Sequence, residues 1–398
     1  MRVAAHEWTP RRIRDLRRQF GDTQADFAQR LEALRGAPVQ RDRVVRWEGG
    51  TARPSPEYVA LLRELDRVAW GVNEARQPAA PEAEAGWVQR RIPIRAEERQ
   101  AMAAVDPNWL AIIDRALAED GVGDVTSEAT VPEGTWGRGV VLAKGSGVLS
   151  GAEVARAVFA RVDPAIAYTP RLGDGDRLVP GATIALVEGP ARSLLKAERV
   201  ALNLMQRLSG VATTTAKFVE AVEGTGARVV DTRKTTPGLR VLEKAAVRHG
   251  GGHNHRFGLS DGVLIKDNHL AAVGGPDRVT QAVRRARAYA PHSLRVEVEV
   301  TTLDELREAL DAGADAVLLD NMGTEQLREA VAVTQGRALL EASGGVTLRR
   351  VREIAETGVD IISAGALTHS APAIDISLDF ETEPARPQAA DERDSSGQ

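Results

Sequence analysis

Residues 231–270 read D-T-R-K-T-T-P-G-L-R, V-L-E-K-A-A-V-R-H-G, G-G-H-N-H-R-F-G-L-S and D-G-V-L-I-K-D-N-H-L. Arg233, Lys234, Arg240, Lys244, Arg248, His249, His253, His255, Arg256, Lys266 and His269 all fall within it. Cations this dense are ordinarily a solvated helix face. Two features set this run apart. Apolar, strand-like runs precede Asp231 and Lys266, so Arg233, Lys234 and Lys266 fall where strands end. Gly250-Gly251-Gly252 is poor helix material and gives a backbone able to approach a ligand closely. The pattern describes a pocket for anions.

After Gly210 the chain repeats strand, loop and helix. Strands are expected at 228–230, 263–265, 295–300, 316–319, 338–340 and 360–363, with helices around 241–248, 302–312, 325–333 and 348–357. Such alternation implies a parallel sheet, and six or seven units favour a closed or nearly closed barrel. Reactive groups of a barrel gather at the C-terminal ends of its strands. Here those ends carry Asp231 to Lys234, Lys266 to Asn268, Glu299, Asp320-Asn321, Ser343-Gly344-Gly345 and Gly365. Within 295–300 the alternation puts Val296, Val298 and Val300 on one face and Glu297 and Glu299 on the other, pointing inward. Glu299 and Asp320 beside a phosphate site suit Mg²⁺, which takes one or two carboxylates plus substrate oxygens. The late-strand glycines sit where barrels cradle phosphate on backbone N–H groups. Lys144-Gly145-Ser146-Gly147 does not satisfy the G-x-x-x-x-G-K-[ST] phosphate loop.

The rest of the chain divides by composition. Residues 106–212 read as a small α+β domain whose longest helix covers about 193–208 and carries Arg199. Residues 73–105, rich in Pro, Ala, Glu and Gln, read as a linker, and 381–398 as a disordered tail. The barrel is assigned 213–365, with about 366–380 returning to the small domain. Residues 1–72 read as short helices with apolar positions at Ile13, Leu16, Phe20, Phe27, Leu31, Leu34, Val44, Trp47, Tyr58, Leu61, Leu62 and Leu65. Between residues 1 and 76 fifteen arginines face eleven carboxylates, whereas the whole chain carries a net charge of −4. That mild overall charge gives no global attraction to nucleic acid or membrane. The absence of cysteine removes disulfides, thiolate metal sites and a cysteine nucleophile. No signal peptide or membrane-length apolar run is present, so a cytoplasmic protein is expected.

The motifs D-T-R-K-T, P-G-L-R, G-G-G-x-N-H-R, L-I-K-D-N-H, E-V-E-V, L-L-D-N, S-G-G and G-A-L-T-H-S occur in this order from Asp231 to Ser370. In order and spacing they resemble quinolinate phosphoribosyltransferase, the carboxylating nicotinate-nucleotide pyrophosphorylase family, over roughly residues 106–380. The resemblance implies a small α/β sandwich domain joined to an incomplete, TIM-like α/β barrel. It implies a homodimer with the active site at the subunit interface. Its substrates would be quinolinate and phosphoribosyl pyrophosphate, used with Mg²⁺. Arg233, His255, Arg256 and Lys266 would bind the quinolinate carboxylates, with Arg199 supplied by the partner subunit. Lys234 would lie near the phosphoribosyl donor, and Lys234, Lys266, Glu299 and Asp320 would form the catalytic set. Glu299 and Asp320 would hold Mg²⁺ and the ribose-pyrophosphate; Ser343, Gly344 and Gly365 would take the 5′-phosphate. Ala245, where an aromatic is usual, and the extra imidazole of His253 depart from the pattern.

Upstream, T-Q-A-D-F-A-Q-R-L at 23–31 and V-V-R-W-E-G-G-T-A-R-P-S-P at 44–56 resemble the helix-turn-helix domain of Xre/Cro-type repressors. That resemblance places Gln40, Arg41, Arg43 and Arg46 towards operator DNA, with Val44 and Trp47 in the core. The connection from Ala28 to Trp47 is several residues longer than the family's tight turn. The whole chain is expected to be multidomain: an all-α head, an α+β sandwich and an incomplete barrel. Its alternatives are a related enzyme for another aromatic acid, and a ligand-sensing regulator with a weak or inactive enzyme domain.

Overall fold

The computed structural model describes residues 106–382 except Val122, and, nearer the N-terminus, residues 13–14, 24–35, 40–48, 51–52, 54–55, 58 and 62. The expected linker at 73–105 and most of the expected tail lie outside the described residues. The chain divides into two compact units, Met1–Arg90 and Arg91–Gln398.

In the first unit, helix α1 (Gln24–Arg35) and helix α2 (Arg41–Glu48) contribute to one apolar cluster. Ile13, Phe27, Leu31, Val44, Trp47, Tyr58 and Leu62 are buried in it. Val44 and Trp47 are three apart, hence on one side of α2, and the Trp47 ring meets Tyr58 edge-on with centroids 5.0 Å apart. Leu16, Phe20, Leu34, Leu61 and Leu65 lie outside the described side chains.

The second unit opens with α3 (Pro107–Asp120) and α4 (Val125–Thr130). Asp106 caps α3 by accepting from the Asn108 N–H at 2.8 Å, and proline at the first helical position costs no hydrogen bond. Then follow β1 (Trp136–Ala143), β2 (Gly147–Val148), α5 (Ala152–Val162), β3 (Ala167–Pro170), β4 (Arg177–Leu178), β5 (Thr183–Pro190) and α6 (Ala191–Ala221). The barrel segment supplies β6 (Arg228–Val230), α7 (Arg240–His249), β7 (Val263–Ile265), α8 (Asp267–Val273), α9 (Arg278–Tyr289), β8 (Val296–Val300), α10 (Leu303–Asp311) and β9 (Ala316–Asp320). It continues with α11 (Thr324–Thr334), β10 (Leu339–Ser343), α12 (Val351–Ala355), β11 (Ile361–Ser363) and α13 (Ala366–His369), before β12 (Ile376–Thr382).

Strands β12-β1-β5-β3 form an antiparallel sheet, with Val140 opposite Asp379 on one side and Leu186 on the other. The last strand among the described residues thus returns to the first sheet. Strands β6-β11-β10-β9-β8-β7 form a six-stranded parallel sheet. Its two edges, β6 and β7, are consecutive in sequence and do not pair with each other; at the β6 edge Val230 bridges instead to His253. His255, beside β6, nevertheless reaches Glu297 on β8, four strands away in the sheet. The sheet is therefore curled on itself as an incomplete barrel.

Two glycine readings change. Helix α6 was expected to stop near residue 208, but it runs for 31 residues straight through Gly210. A Cβ there would lie 2.1 Å from the Pro372 carbonyl oxygen, so this glycine admits the returning C-terminal segment rather than ending the helix. The triple glycine likewise serves packing. A Cβ at Gly250 would meet the Ala212 carbonyl oxygen at 2.3 Å, and one at Gly252 the Thr215 Cγ2 at 2.6 Å. Both face α6, not a ligand, and they let the anion-pocket loop lie against that helix.

Gly250→Ala should therefore lower the unfolding free energy by about 1–3 kcal/mol, the usual range for overpacking a filled contact. A urea midpoint that falls at constant m-value checks it.

Candidate active site

The C-terminal ends of the barrel strands bring one set of side chains to one mouth. Asp231, immediately after β6, is fully buried. Its Oδ1 takes the Lys244 ammonium of α7 at 2.5 Å and the His255 backbone N–H at 2.8 Å; its Oδ2 takes the Asn254 amide at 2.6 Å. Lys244 Nζ also donates to the His255 carbonyl at 3.0 Å. Burial pushes the Lys244 amine below its ordinary value, and Asp231 pulls it back. This cation belongs to the scaffold and not to the anion pocket where the sequence placed it.

Three further basic residues of that run are structural as well. Arg240 binds the Thr235 hydroxyl and the carbonyls of Phe257 and Arg233, Arg248 binds Asn254, and His249 meets the Ser150 hydroxyl at 2.9 Å. The 231–240 loop is pinned from below by Glu243, whose buried carboxylate accepts from Thr236 at 2.7 Å and from Arg207 of α6 at 2.8 Å. Sequence reasoning passed over Glu243 and Arg207; each looks like an ordinary helix charge until the tertiary fold pairs them.

What remains at the mouth is a genuine cluster of charge. Arg233 and Lys234 are exposed. Burial, and then the nearby Arg233 guanidinium, push Arg256 below its usual range. Arg256 is fixed through a bond to the Gly262 carbonyl at 3.1 Å. Lys266 follows β7, and its ammonium lies 2.8 Å from Glu299 at the end of β8. Asp320 closes β9, directly opposite Ser343 of β10 in the sheet register, and accepts from the Asn321 side chain at 2.8 Å. Asn321 adopts φ 56°, left-handed for a residue with a side chain, and Gly344 answers it: a Cβ there would sit 2.3 Å from Asn321 Oδ1. Ser363 donates to the Ser343 hydroxyl at 3.0 Å, and a Cβ on Gly365 would lie 3.1 Å from Lys234 Cδ. Lys234, Gly365, Ser343 and Asp320 thus line adjoining strand ends.

Below the mouth, His255 Nε2 lies 3.5 Å from Glu297 and 3.3 Å from Glu341. Burial disfavours the charged imidazole, but hydrogen bonds to Glu297 and Glu341 outweigh it and raise its pKa to about 9. The Arg256 backbone N–H points at Nδ1 from 2.7 Å and opposes a proton there. Burial also raises Glu297, against the pull of His255. Glu341 escaped the sequence reading because β10 was expected to end at residue 340. The strand runs to Ser343, and the inward series Leu339, Glu341, Ser343 was the available signal.

Arg199 is not brought to this mouth. It lies on α6 with its side chain 63% exposed, and its ion pair among the described residues, with Glu198, is 4.0 Å long. In the first unit Gln40, just before α2, and Arg41, Arg43 and Arg46 on it are exposed while Val44 and Trp47 are buried; Arg43 bonds to the Tyr58 hydroxyl and stacks 4.9 Å over its ring.

Fold and site together define a two-part α/β protein whose incomplete barrel opens on a mouth lined by cations and carboxylates. The family model for the N-terminal domain of quinolinate phosphoribosyl transferase matches residues 124–209, and that for its C-terminal domain matches residues 211–379. The chain is 48% identical over 276 residues to the carboxylating nicotinate-nucleotide pyrophosphorylase of Mycobacterium leprae, covering 67% of this chain and 95% of that one. It is 45% identical over 263 residues to the probable carboxylating nicotinate-nucleotide pyrophosphorylase of Bacillus subtilis, covering 66% and 90%. NadC from Streptococcus pyogenes has a similar solved structure, with a TM-score of 0.66 at 42% identity, covering 69% of this chain and 96% of that one. The chain belongs to the quinolinate phosphoribosyltransferase family.

Lys244→Met leaves the Asp231 carboxylate buried with only neutral donors and should cost about 3–5 kcal/mol. Adding Asp231→Asn should restore part of that loss in a double-mutant cycle of urea unfolding, because the stranded charge is then gone.

Proposed function

We propose that this protein joins quinolinate to phosphoribosyl pyrophosphate, yielding nicotinate mononucleotide, CO₂ and pyrophosphate for NAD biosynthesis. The observation that carries this reading is the gathering of Arg233, Arg256 and Lys266 at one barrel mouth, where burial and then the Arg233 guanidinium hold Arg256 below its usual range and a dianion would offset the like charge. Arginine forks suit planar carboxylates, which they bind through two parallel hydrogen bonds. Arg233, Arg256 and Lys266 hold the two substrate carboxylates, with His255 completing the pocket wall. Ser343, Gly344 and Gly365 receive the 5′-phosphate on backbone N–H groups, and Lys234 lies over the leaving pyrophosphate.

Glu299 and Asp320 fit a Mg²⁺ ion, because each ends a neighbouring barrel strand and Asp320 keeps carboxylate oxygen free beside its bond to Asn321. When bound, the ion neutralises charge that develops on the pyrophosphate oxygens. Glu299 takes part after Lys266 turns from it towards a substrate carboxylate, which breaks the 2.8 Å ion pair. The pyridine nitrogen then attacks C1 of the ribose as pyrophosphate departs, and the cationic ring nitrogen stabilises the carbanion left when the adjacent carboxylate leaves as CO₂, until that carbon takes a proton from solvent. Fixed cations aimed at the departing charge can contribute several kcal/mol to such a step. No protein nucleophile is required.

Release of pyrophosphate and CO₂ from the two substrates with Mg²⁺ tests the reading, and Lys234→Ala and Arg256→Ala should each collapse it. No turnover in a folded wild type would favour a ligand-sensing role for the domain. The exposed Arg199 completes the site of a second copy. Arg199→Ala and Arg256→Ala, each inactive alone, should recover about a quarter of wild-type activity when mixed and reassociated, since half the dimers then carry one intact site.

The polar face of α2 supports a second role for the N-terminal unit, contact with operator DNA through Gln40, Arg41, Arg43 and Arg46. Arg46→Ala should weaken binding in a gel-shift titration and reduce its salt dependence; salt-independent binding, or none, would remove this role.

A further inference from the structure

We propose that Glu341 and Glu297 are positioning residues for the dicarboxylate pocket, gripping the His255 ring from the barrel interior and, through it, the backbone of Arg256. The inference rests on the dicarboxylate reading of that pocket and adds the residues that shape it. Every polar atom of His255 is engaged within the protein. Its N–H goes to Asp231 at 2.8 Å, its carbonyl takes Lys244 at 3.0 Å, and Nδ1 takes the Arg256 N–H at 2.7 Å. Nε2 faces Glu341 at 3.3 Å and Glu297 at 3.5 Å. An imidazole committed in this way has no free N–H for a ligand. It offers the pocket a fixed orientation for the next residue, Arg256.

The two carboxylates come from β10 and β8, with β9 between them, so they hold the ring across the curled sheet instead of along one strand. Glu341 is 2% exposed, and in register it sits between Leu318 and Ile361. Its Oε1 is buried without a hydrogen-bond partner. A buried carboxylate oxygen left unsatisfied lowers stability, and folds rarely retain one without a use. Two acids beneath an anion pocket also oppose its purpose unless they act on something between them and the ligand. His255 is that something.

Glu341→Gln keeps the volume and removes the charge. Steady-state kinetics should show the quinolinate KM rising about tenfold or more while the phosphoribosyl pyrophosphate KM stays within about twofold, and thermal stability should hold or improve because a buried charge is gone. Glu341→Asp, which shortens the reach to His255, should not restore the quinolinate KM. Glu297→Gln should show the same split and replaces Glu341→Gln should that variant fail to fold. An unchanged quinolinate KM in both glutamine variants would overturn the inference, as would both KM values and the melting temperature worsening together. The three groups also have the spacing of a cation site. A stoichiometric transition metal in the purified protein, absent from Glu341→Gln, would overturn it too. Failure of the wild type to use quinolinate would instead remove the proposed function, so the two failures are distinguishable.

Discussion

The buried pair of Asp231 and Lys244 is the constraint on which the rest of the site depends. Asp231 ends the first barrel strand, and Lys244 comes from the helix that follows. Neither charge can be buried alone without a penalty of several kcal/mol, so strand and helix are locked together. Once locked, the remaining capacity of the carboxylate and ammonium is spent on Asn254 and on both backbone groups of His255. One ion pair thereby sets a loop that belongs to no strand, and that loop carries Arg256. Gly250 and Gly252 let it pass close against α6, and Glu243 with Arg207 secures the opposite loop to the same helix. The long helix is thus the floor under two walls of the pocket.

Above that floor the balance of charge is finely opposed. Arg233, Lys234, Arg256 and Lys266 gather at the mouth, while Glu297, Glu299, Asp320 and Glu341 lie among or beneath them. Lys266 already has Glu299 as a partner, and His255 has two carboxylates. Arg233 and Arg256 instead repel one another. Lys244 and Arg207, each paired with a buried carboxylate, hold the geometry.

Much of the barrel was legible because its signals are local. β6 and β7 were read at their observed bounds, each a short apolar run closed by charge, and the Val/Glu alternation of β8 correctly turned Glu297 and Glu299 inward. The failures were tertiary. β10 was cut short at Leu340 because a glutamate in an apolar run reads as an end, although the barrel interior accepts it when His255 is its partner. α9, with Val279, Ala282 and Val283 as its buried stripe among many arginines, was too polar to be noticed. α6 was stopped at a glycine whose reason lies 162 residues later, at Pro372. Of the dense cation run, Lys244, Arg240, Arg248 and His249 proved to be scaffold, since composition cannot tell a paired cation from a free one. The strand ends themselves, from Asp231 round to Gly365, were found by counting residues along each strand.

The central claim is that the barrel mouth reads two carboxylates on one aromatic ring. Comparing kcat/KM for quinolinate and nicotinate, with phosphoribosyl pyrophosphate and Mg²⁺ held constant, tests it most directly. The account predicts efficient use of quinolinate and little or no use of nicotinate, because a site built for two carboxylates leaves cations unpaired when one is missing. Equal use of the two acids would contradict it.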